Sequence, residues 1–174
     1  MNVVEPLNKI DPAHFRHVMG HFASGVTVIA AKADGEVRGM TANAFMSGSL
    51  DPPLCVISIA KRAHMYPHLV AAGAFSVNIL AAGQEDVATH FAGRPIPGLK
   101  ITFRDVGGIP AVPGASGLIA AEVAAVHDCG DHSIFIGRII VMDADHRPPL
   151  LYHGSHFAAL VPLREAAPSL PEFW

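Results

Sequence analysis

Short apolar segments separated by turn residues restrict the possible folds of this chain more than any other feature of its sequence. Residues 26–32 and 37–41 flank Asp34-Gly35, a dipeptide that is typical of two-residue β-hairpin turns. Further strand-like segments lie at residues 54–60, 74–80, 101–104, 118–127, 133–142 and 150–153. Many short strands and few helices predict a mainly β fold, a Greek-key-like antiparallel β-barrel with peripheral helices.

The segment at residues 54–60 is apolar and β-rich without interruption, which predicts a strand that is buried on both faces. Three helices are expected: one that begins at Asp11-Pro12 and ends at Gly25, and two at residues 64–72 and 84–92. Residues 94–117 are rich in glycine and proline, so they are predicted to be mostly loop.

The first helix has one apolar face and one face with histidines. The apolar face recurs at helical spacing and consists of Phe15, Val18, Met19 and Phe22. The spacing of His14, His17 and His21 is compatible with a metal site or with a solvated helix face. No carboxylate or cysteine joins them, which favours the solvated face, and the sequence has no standard metal-binding motif.

Length and charge indicate the general class of protein. The 174 residues predict a single domain, with an arm at residues 1–10 and a tail at residues 162–174. The tail ends in Phe173-Trp174, which either pack on a second subunit or fray. A net charge of −3 gives no argument for nucleic acid or an anionic membrane surface. No signal-like or membrane-spanning segment is visible, so a soluble cytoplasmic protein is expected.

The two cysteines, Cys55 and Cys129, each lie in or at the end of an apolar segment. Buried free thiols are expected for both, because a disulfide is improbable in a cytosolic chain with only two cysteines.

The segment at residues 39–53 combines small residues, hydroxyls and one amide, and has no carboxylate before Asp51. Such a composition lets backbone N–H groups approach a flat or anionic ligand closely. It also suits a long barrel connection that is rich in turn residues, and composition alone leaves both interpretations open.

Several segments, in this order along the chain, resemble the flavin reductase-like family. The matching pieces are Gly25-Val26-Thr27-Val28-Ile29, Gly39-Met40-Thr41-Ala42-Asn43, Ser47, Ser49, Leu50-Asp51-Pro52-Pro53-Leu54, Phe75-Ser76-Val77-Asn78-Ile79-Leu80, Phe91-Ala92, Gly130-Asp131-His132 and Pro149-Leu150-Leu151-Tyr152. The resemblance implies an FMN-binding split barrel, usually a homodimer with flavin near the interface. It also implies an NAD(P)H:flavin oxidoreductase that supplies reduced FMN or FAD to a partner monooxygenase.

Two rival functions remain on the same barrel. One is an oxidoreductase with tightly bound flavin and another acceptor, and the other is a non-enzymatic flavin-binding electron carrier. The chain has no Gly-x-Gly-x-x-Gly fingerprint, so NADH or NADPH would have to use a site in the flavin cleft. Distinguishing the two nucleotides requires a cation for the 2′-phosphate, and the candidates are Arg94, Arg104, Arg138 and Arg147.

The resemblance assigns flavin contacts to two segments. Met40, Thr41, Ala42, Asn43 and Ser47 match the segment that contacts the isoalloxazine ring, although Asn43 alone would suit a turn. The second segment joins a strand to a helix and consists of Ser58, Ile59, Ala60, Lys61, Arg62, Ala63 and His64. Free N–H groups and fixed positive charge suit phosphate there, although a basic pair is usually only solvated.

The resemblance also places the nicotinamide. Gly130-Asp131-His132 alone would be a hairpin turn, but in the family this tripeptide lies at the nicotinamide side of the flavin. His132 would then position the nicotinamide, and Asp131 would orient the imidazole. Tyr152 matches a segment that closes the pocket. Phe91 and Arg94 could cover the flavin. In the alternative interpretation, Phe91 belongs to the core and Arg94 to the surface.

Overall fold

The computed structural model describes residues 10–161, and it is built mainly from antiparallel strands. The elements in chain order are α1 (Pro12–Gly20), β1 (Ser24–Gly25), β2 (Thr27–Ala33), β3 (Glu36–Ala42), β4 (Phe45–Ser49), β5 (Leu54–Ala60), α2 (Met65–Ala72), β6 (Ala74–Ile79), α3 (Glu85–Phe91), β7 (Arg104–Val106), β8 (Ile109–Ala111), β9 (Gly117–Cys129), β10 (His132–Ala144), β11 (Leu150–His153) and β12 (His156–Ala159). The predicted mainly β fold is confirmed.

Seven strands form one sheet in the order β3-β2-β6-β9-β10-β5-β4. Strands β3 and β4 lie at opposite ends of this order, but only Asn43 and Ala44 separate them along the chain. Ala42 and Phe45 are three Cα–Cα steps apart and so lie within about 11 Å of each other, whereas a flat sheet of seven strands would be roughly 29 Å wide. The sheet must therefore roll up until its two ends approach each other, which produces the predicted barrel.

The predicted hairpin joins β2 and β3. Asp34 and Gly35 both have positive φ, at 52° and 80°, as a type I′ turn requires. The two strands pair from Thr27 with Ala42 to Ala33 with Glu36. This register carries Gly39, Met40 and Thr41 along an edge of the sheet.

The barrel interior is filled by side chains from five strands and by two residues of α2. Phe75, Phe135 and Ile29 are completely buried there, and Met65 and Leu69 of α2 cover one side of the cluster. A second cluster on the outer face of β2 contains Val28, Leu80, Ala88, Val112 and Leu150. Each of these large side chains contributes about 1.5–3 kcal/mol by leaving water.

The prediction that residues 54–60 are buried on both faces was wrong. Alternate residues of β5 are buried and the intervening ones are only half-buried, because β5 lies next to the end strand β4 and, among residues 10–161, no second layer covers its outer face. Strand β2, which lies between the barrel interior and the second cluster, is instead buried on both faces, and so are the central residues of β6.

The other predicted elements differ mainly at their ends. Helix α1 ends at Gly20, five residues before Gly25, and the predicted strand at residues 101–104 is instead a hairpin of β7 and β8. Positive φ values at Gly107 and Gly108 make that hairpin turn possible. The short strands β1, β4 and β12 were not predicted, since each is too short or too polar to give a clear alternation.

The apolar face of α1 has no partner within the described residues. Phe15, Val18, Met19 and Phe22 are all at least half exposed, and no residue of α1 is buried. Asp11 caps the helix as predicted, because its carboxylate accepts a hydrogen bond from the His14 N–H. Among residues 10–161, no helix is long and apolar enough to cross a membrane.

The described residues also contain no group of three or more His, Cys, Asp or Glu that is arranged to hold a metal ion. Both cysteines are free: Cys55 is buried, as predicted, whereas Cys129 is exposed at the end of β9, against prediction. Burial raises the pKa of the Cys55 thiol to about 11, so this thiol stays protonated at neutral pH. Residues 1–9 of the predicted arm and the whole predicted tail lie outside the described residues.

Candidate active site

Three clefts lie in a row along one side of the barrel. The first, here named the tyrosine cleft, has a volume of 370 Å³ and lies between the end of β3, helix α3 and the β11–β12 hairpin. Its walls are formed by Val26, Thr41, Ala42, Asn43, Ala88, Thr89, Ala92, Arg94, Tyr152, Ser155 and Phe157. They are mostly small or aromatic, and Arg94 supplies a charge.

The second, the phenylalanine cleft, has a volume of 520 Å³ and shares Thr41 and Ala92 with the tyrosine cleft. Its remaining walls are Arg38, Gly39, Met40, Ala63, His64, Met65, His90, Phe91 and Gly93. The third, the basic cleft, also has a volume of 520 Å³. It shares Arg38, Ala63 and His64 with the phenylalanine cleft, so the three clefts adjoin one another in a row, which is here named the groove.

Helix α3 is fixed against β3 by two contacts that the sequence explains. The Thr41 hydroxyl donates a 2.7 Å hydrogen bond to the carbonyl oxygen of Ala88. The ring of Phe91 lies on Gly39, where a Cβ would be only 2.8 Å from the Phe91 Cε1. A side chain at position 39 would therefore move Phe91, and with it the wall that separates the core from the groove.

The β11–β12 hairpin forms the opposite wall of the tyrosine cleft. The Tyr152 and Phe157 rings pack edge to face with their centroids 5.7 Å apart. Gly154 and Ser155 take positive φ in the turn, which brings Ser155 into the wall. Sequence reasoning found Tyr152 but missed Ser155 and Phe157. Gly154 could have indicated a turn after Tyr152, and hence a second strand that contains Phe157.

The junction of β5 and α2 is tied to the turn between β9 and β10. The Lys61 ammonium donates to the Gly130 carbonyl at 3.1 Å and lies 3.1 Å from an Asp128 carboxylate oxygen. The Lys61 backbone N–H donates to the Asp131 carbonyl at 2.9 Å. Lys61 thus holds the turn in place, whereas the side chain of Arg62 makes no hydrogen bond or ion pair within the described residues.

Asp131 and His132 form a pair at this turn. The His132 Nδ1 lies 2.7 Å from an Asp131 carboxylate oxygen, and both side chains are exposed to solvent. The hydrogen bond to His132 lowers the pKa of the Asp131 carboxyl below its ordinary value, and Arg62 adds a smaller electrostatic effect. Because the pKa of the Asp131 carboxyl is lowered in the folded protein, the pair stabilises the fold at every pH above the ordinary pKa of aspartate. This stabilisation is lost as the pH falls through the lowered pKa.

The structure predicts a measurable consequence for this pair. An acid titration of the Asp131 carboxyl carbon, followed by NMR, is expected to give a pKa below the ordinary value for aspartate. In the His132→Ala variant the pKa should rise towards that value, because the hydrogen bond is its largest cause. An unchanged Asp131 pKa in this variant would show that the two side chains do not pair in solution.

The groove brings together many of the predicted site residues. Those that form its walls are Met40, Thr41, Ala42, Asn43, Lys61, Arg62, Ala63, His64, Phe91, Arg94 and Tyr152. Gly130 and Asp131 lie beside the basic cleft through their hydrogen bonds with Lys61, and His132 is the next residue along the chain.

Besides Gly130, Asp131 and His132, four more predicted residues line none of the three clefts. Ser58 and Ala60 are half-buried on the outer face of β5, and Ser47 is exposed on β4. Ile59 is completely buried in the barrel core, so only its backbone remains for a ligand contact. Among the wall residues that sequence reasoning missed, Ala88 and Thr89 are small or weakly polar and gave no signal of their own.

The groove fits a flavin nucleotide in shape and in chemistry. Clefts that bind such ligands measure about 300–1,000 Å³ and combine apolar walls with a few polar groups, as these do. At the end of the groove, Arg62 and His64 are suited to a phosphate group. A flat ring would lie against Thr41, Ala42 and Tyr152, and Phe91 would form the wall farther along.

Fold and groove together define a small β-barrel oxidoreductase of the flavin-binding type. The family model of the flavin reductase like domain matches residues 19–160, and the chain belongs to this family. The prediction of the family, of a flavin-reducing enzyme and of the split-barrel fold is therefore confirmed.

Individual relatives agree with this assignment. The chain is 40% identical to an NADH-dependent flavin reductase of a Rhodococcus species, over 87% of this chain and 88% of that protein. It is 42% identical to the reductase component of 4-hydroxyphenylacetate 3-monooxygenase of Thermus thermophilus, over 84% of this chain and 95% of that protein. The solved structure of the flavin reductase PheA2 superposes with a TM-score of 0.85 at 37% identity, covering 88% of this chain and all of that one.

Proposed function

We propose that the chain is a single-domain enzyme that oxidises NADH, reduces FMN or FAD and supplies the reduced flavin to a separate monooxygenase. The relatives that support this are named as an NADH-dependent flavin reductase and as the reductase component of a monooxygenase. The observation that carries the proposal is the row of adjoining clefts, which offers both a cleft with small and aromatic walls and a basic end within one fold.

The protein's part in the reaction is mainly to position the reactants. A bound flavin supplies the redox chemistry by accepting a hydride from the nicotinamide. Thr41, Ala42 and Asn43 hold one edge of the ring site, and Arg62 holds the phosphate end. His132, supported by Asp131, would help to hold the nicotinamide nucleotide from the turn beside the basic cleft, and alignment of the reacting atoms would lower the barrier.

NADH is the proposed hydride donor. Of the four arginines considered for a 2′-phosphate, Arg138 is paired with Glu122 and Arg147 is paired with Asp145. Arg94 lies in the tyrosine cleft, where it faces the flavin, and Arg104 lies in β7, away from the three clefts. A cytoplasmic location is proposed as well, since an exposed free Cys129 suits a reducing compartment.

The test is to follow nicotinamide absorbance after mixing the purified protein with NADH or NADPH, with and without added FMN or FAD. Oxidation that requires added flavin, saturates with it and is faster with NADH is the expected result. Oxidation that is independent of added flavin would instead identify an enzyme with a tightly bound flavin. Flavin binding with no oxidation of either nucleotide would identify an electron carrier.

A homodimer is proposed on the basis of the uncovered apolar surface. The four exposed side chains of α1 form one contiguous apolar face, and exposed apolar patches of this kind mark interaction sites. The side chains of Phe15 and Phe22 are 53% and 78% exposed, so substitutions there change the surface and leave the barrel core intact.

Light scattering during gel filtration is expected to give twice the mass of the 18.3 kDa chain. The Phe15→Glu/Phe22→Glu double variant should be largely monomeric, because burying a charged carboxylate at an apolar contact between subunits is unfavourable. It should still fold, because both positions are exposed in the single chain. Val70→Glu is the control, because Val70 is an exposed apolar residue of α2 that lines none of the three clefts, and this variant should remain dimeric. A wild-type protein of single-chain mass would contradict the proposal.

A further inference from the structure

We propose that Thr27 is a positioning residue of the flavin site, which acts through the Ala42 carbonyl to direct the Asn43 N–H into the tyrosine cleft. The inference rests on the proposed flavin-reductase function and deepens it. The segment at residues 25–29 lines that cleft only through Val26. Thr27 is only 3% exposed and lines none of the three clefts, so it reaches a ligand only through its neighbours.

The Thr27 side chain fixes the direction of one peptide group in the cleft wall. Its hydroxyl donates a 2.6 Å hydrogen bond to the Ala42 carbonyl oxygen. The C=O and N–H of a planar trans peptide point in opposite directions, and this peptide bond is trans. Because the Ala42 carbonyl points towards β2, the Asn43 N–H points away from it. Strand β3 lies at the end of the sheet order, so no further strand of the described sheet is hydrogen-bonded on that side.

The residues that follow β3 use their carbonyl groups within the protein and leave N–H groups available. The carbonyls of residues 42–44 all accept hydrogen bonds, and the donors are the Thr27 hydroxyl and the N–H groups of Phe45 and Ser58. By contrast, the N–H groups of residues 43 and 44 donate to no acceptor among residues 10–161. Backbone N–H groups are strong donors, so they suit the acceptor atoms on the edge of a flavin ring.

The anchor of this peptide is itself held firmly. The Val26 N–H donates to the Leu150 carbonyl at 3.1 Å, and the Val26 carbonyl accepts from the Leu80 N–H at 2.9 Å. Thr27 also pairs with Ile79 of β6, on the side of β2 away from β3. A donor that is fixed in this way before the ligand arrives needs little ordering on binding, which favours affinity.

The direct test observes the Asn43 amide by ¹H–¹⁵N NMR while the purified protein is titrated with FMN. In the wild type the amide proton should move downfield as FMN binds, because a hydrogen bond deshields the proton. Thr27→Val keeps the shape of the side chain and removes the hydroxyl, so the displacement should be much smaller, and Thr27→Ser should restore it. A wild-type Asn43 amide that does not respond to FMN would overturn the proposal.

The affinity for FMN, measured by quenching of flavin fluorescence, gives a second readout. Weakening of one hydrogen bond to the ring should raise the dissociation constant about fivefold in Thr27→Val, whereas Thr27→Ser should stay within about twofold of wild type. Circular dichroism checks that the variants fold. If the valine variant does not fold, Thr27→Ala removes the same hydroxyl without crowding the site.

Ser76→Ala is the matched control for a merely structural effect. The Ser76 hydroxyl is completely buried and donates to the Pro110 carbonyl, but Ser76 lines none of the three clefts. Both substitutions remove a buried hydrogen bond and should lower the melting temperature, but only the change at Thr27 should weaken FMN binding. Equal losses of affinity in the two variants would show that Thr27 acts only on stability, and the proposal would be wrong.

The outcomes separate the role of Thr27 from the proposed function. If FMN displaces the Asn43 amide and Thr27→Val weakens FMN binding, but neither NADH nor NADPH is oxidised, the proposed function fails while the role of Thr27 stands. If the wild type oxidises NADH with added FMN and Thr27→Val binds FMN as tightly as the wild type, the function stands and the role of Thr27 is wrong.

Discussion

Replacement of His132 by alanine is expected to slow hydride transfer from NADH by a factor on the order of 10², with the flavin dissociation constant unchanged. His132 lies at the start of β10, where its backbone is fixed by pairing with Ala60 and Cys129. Its imidazole is held by the Asp131 carboxylate at 2.7 Å. Loss of the side chain removes a contact that orients the nicotinamide, and small errors in alignment cost about this much in rate.

Stopped-flow measurement of flavin reduction at saturating FAD would report the rate, and fluorescence quenching would report flavin affinity. His146→Ala is the control, because His146 is exposed in a loop and takes no part in the groove. His132→Asn keeps a hydrogen-bonding side chain and should recover part of the lost rate. If flavin affinity falls in parallel with the rate, His132 belongs to the flavin site and its assigned role is wrong.

The sequence predicted those parts of the fold that depend on local pattern. The Asp34-Gly35 turn, the strand that becomes β5 and the helix that becomes α2 were all placed within one or two residues. Each has a signal that lies within the segment itself, such as the turn dipeptide or an uninterrupted apolar run. The burial of a strand is different, because it depends on which neighbours the barrel brings to its outer face.

Strands β2 and β5 illustrate this limit. Both are apolar in sequence, but only β2 is covered outside by α3 and the last strands, so only β2 is buried on both faces. The short strand β4 was missed for a related reason. Its residues Phe45–Ser49 alternate weakly, and it becomes a strand because β5, which follows it after four residues, pairs with it.

The candidate site shows the same division between local signals and assembly. Motifs indicated Thr41, Arg62 and Tyr152, which come from three distant parts of the chain and lie along one groove in the structure. Sequence reasoning treated Lys61 and Arg62 as one basic pair. The structure separates them, since Lys61 is bonded to the turn at Gly130 and Arg62 is directed to the basic cleft.

The barrel core makes the second large prediction, which concerns Gly137. This residue lies in β10 at an irregularity in its pairing with β9, and a Cβ there would be 2.7 Å from Phe75 Cζ and 2.9 Å from Ala121 Cβ. Phe75 and Ala121 are both completely buried, so neither can move towards solvent to make room. Overpacking of this kind costs about 1–3 kcal/mol, and Gly137→Ala is expected to lie near the upper end.

Glycine to alanine normally stabilises a protein slightly, by restricting the unfolded chain, so the sign of the effect identifies its cause. Gly25→Ala is the matched control, because nothing lies within 4 Å of a Cβ at that position and its melting temperature should not fall. Thermal unfolding followed by circular dichroism should show a decrease of roughly 5–10 °C for Gly137→Ala. Equal melting temperatures for the two variants would mean that the interior has room for a methyl group at Gly137. The inference that Phe75 packs tightly against β10 would then be wrong.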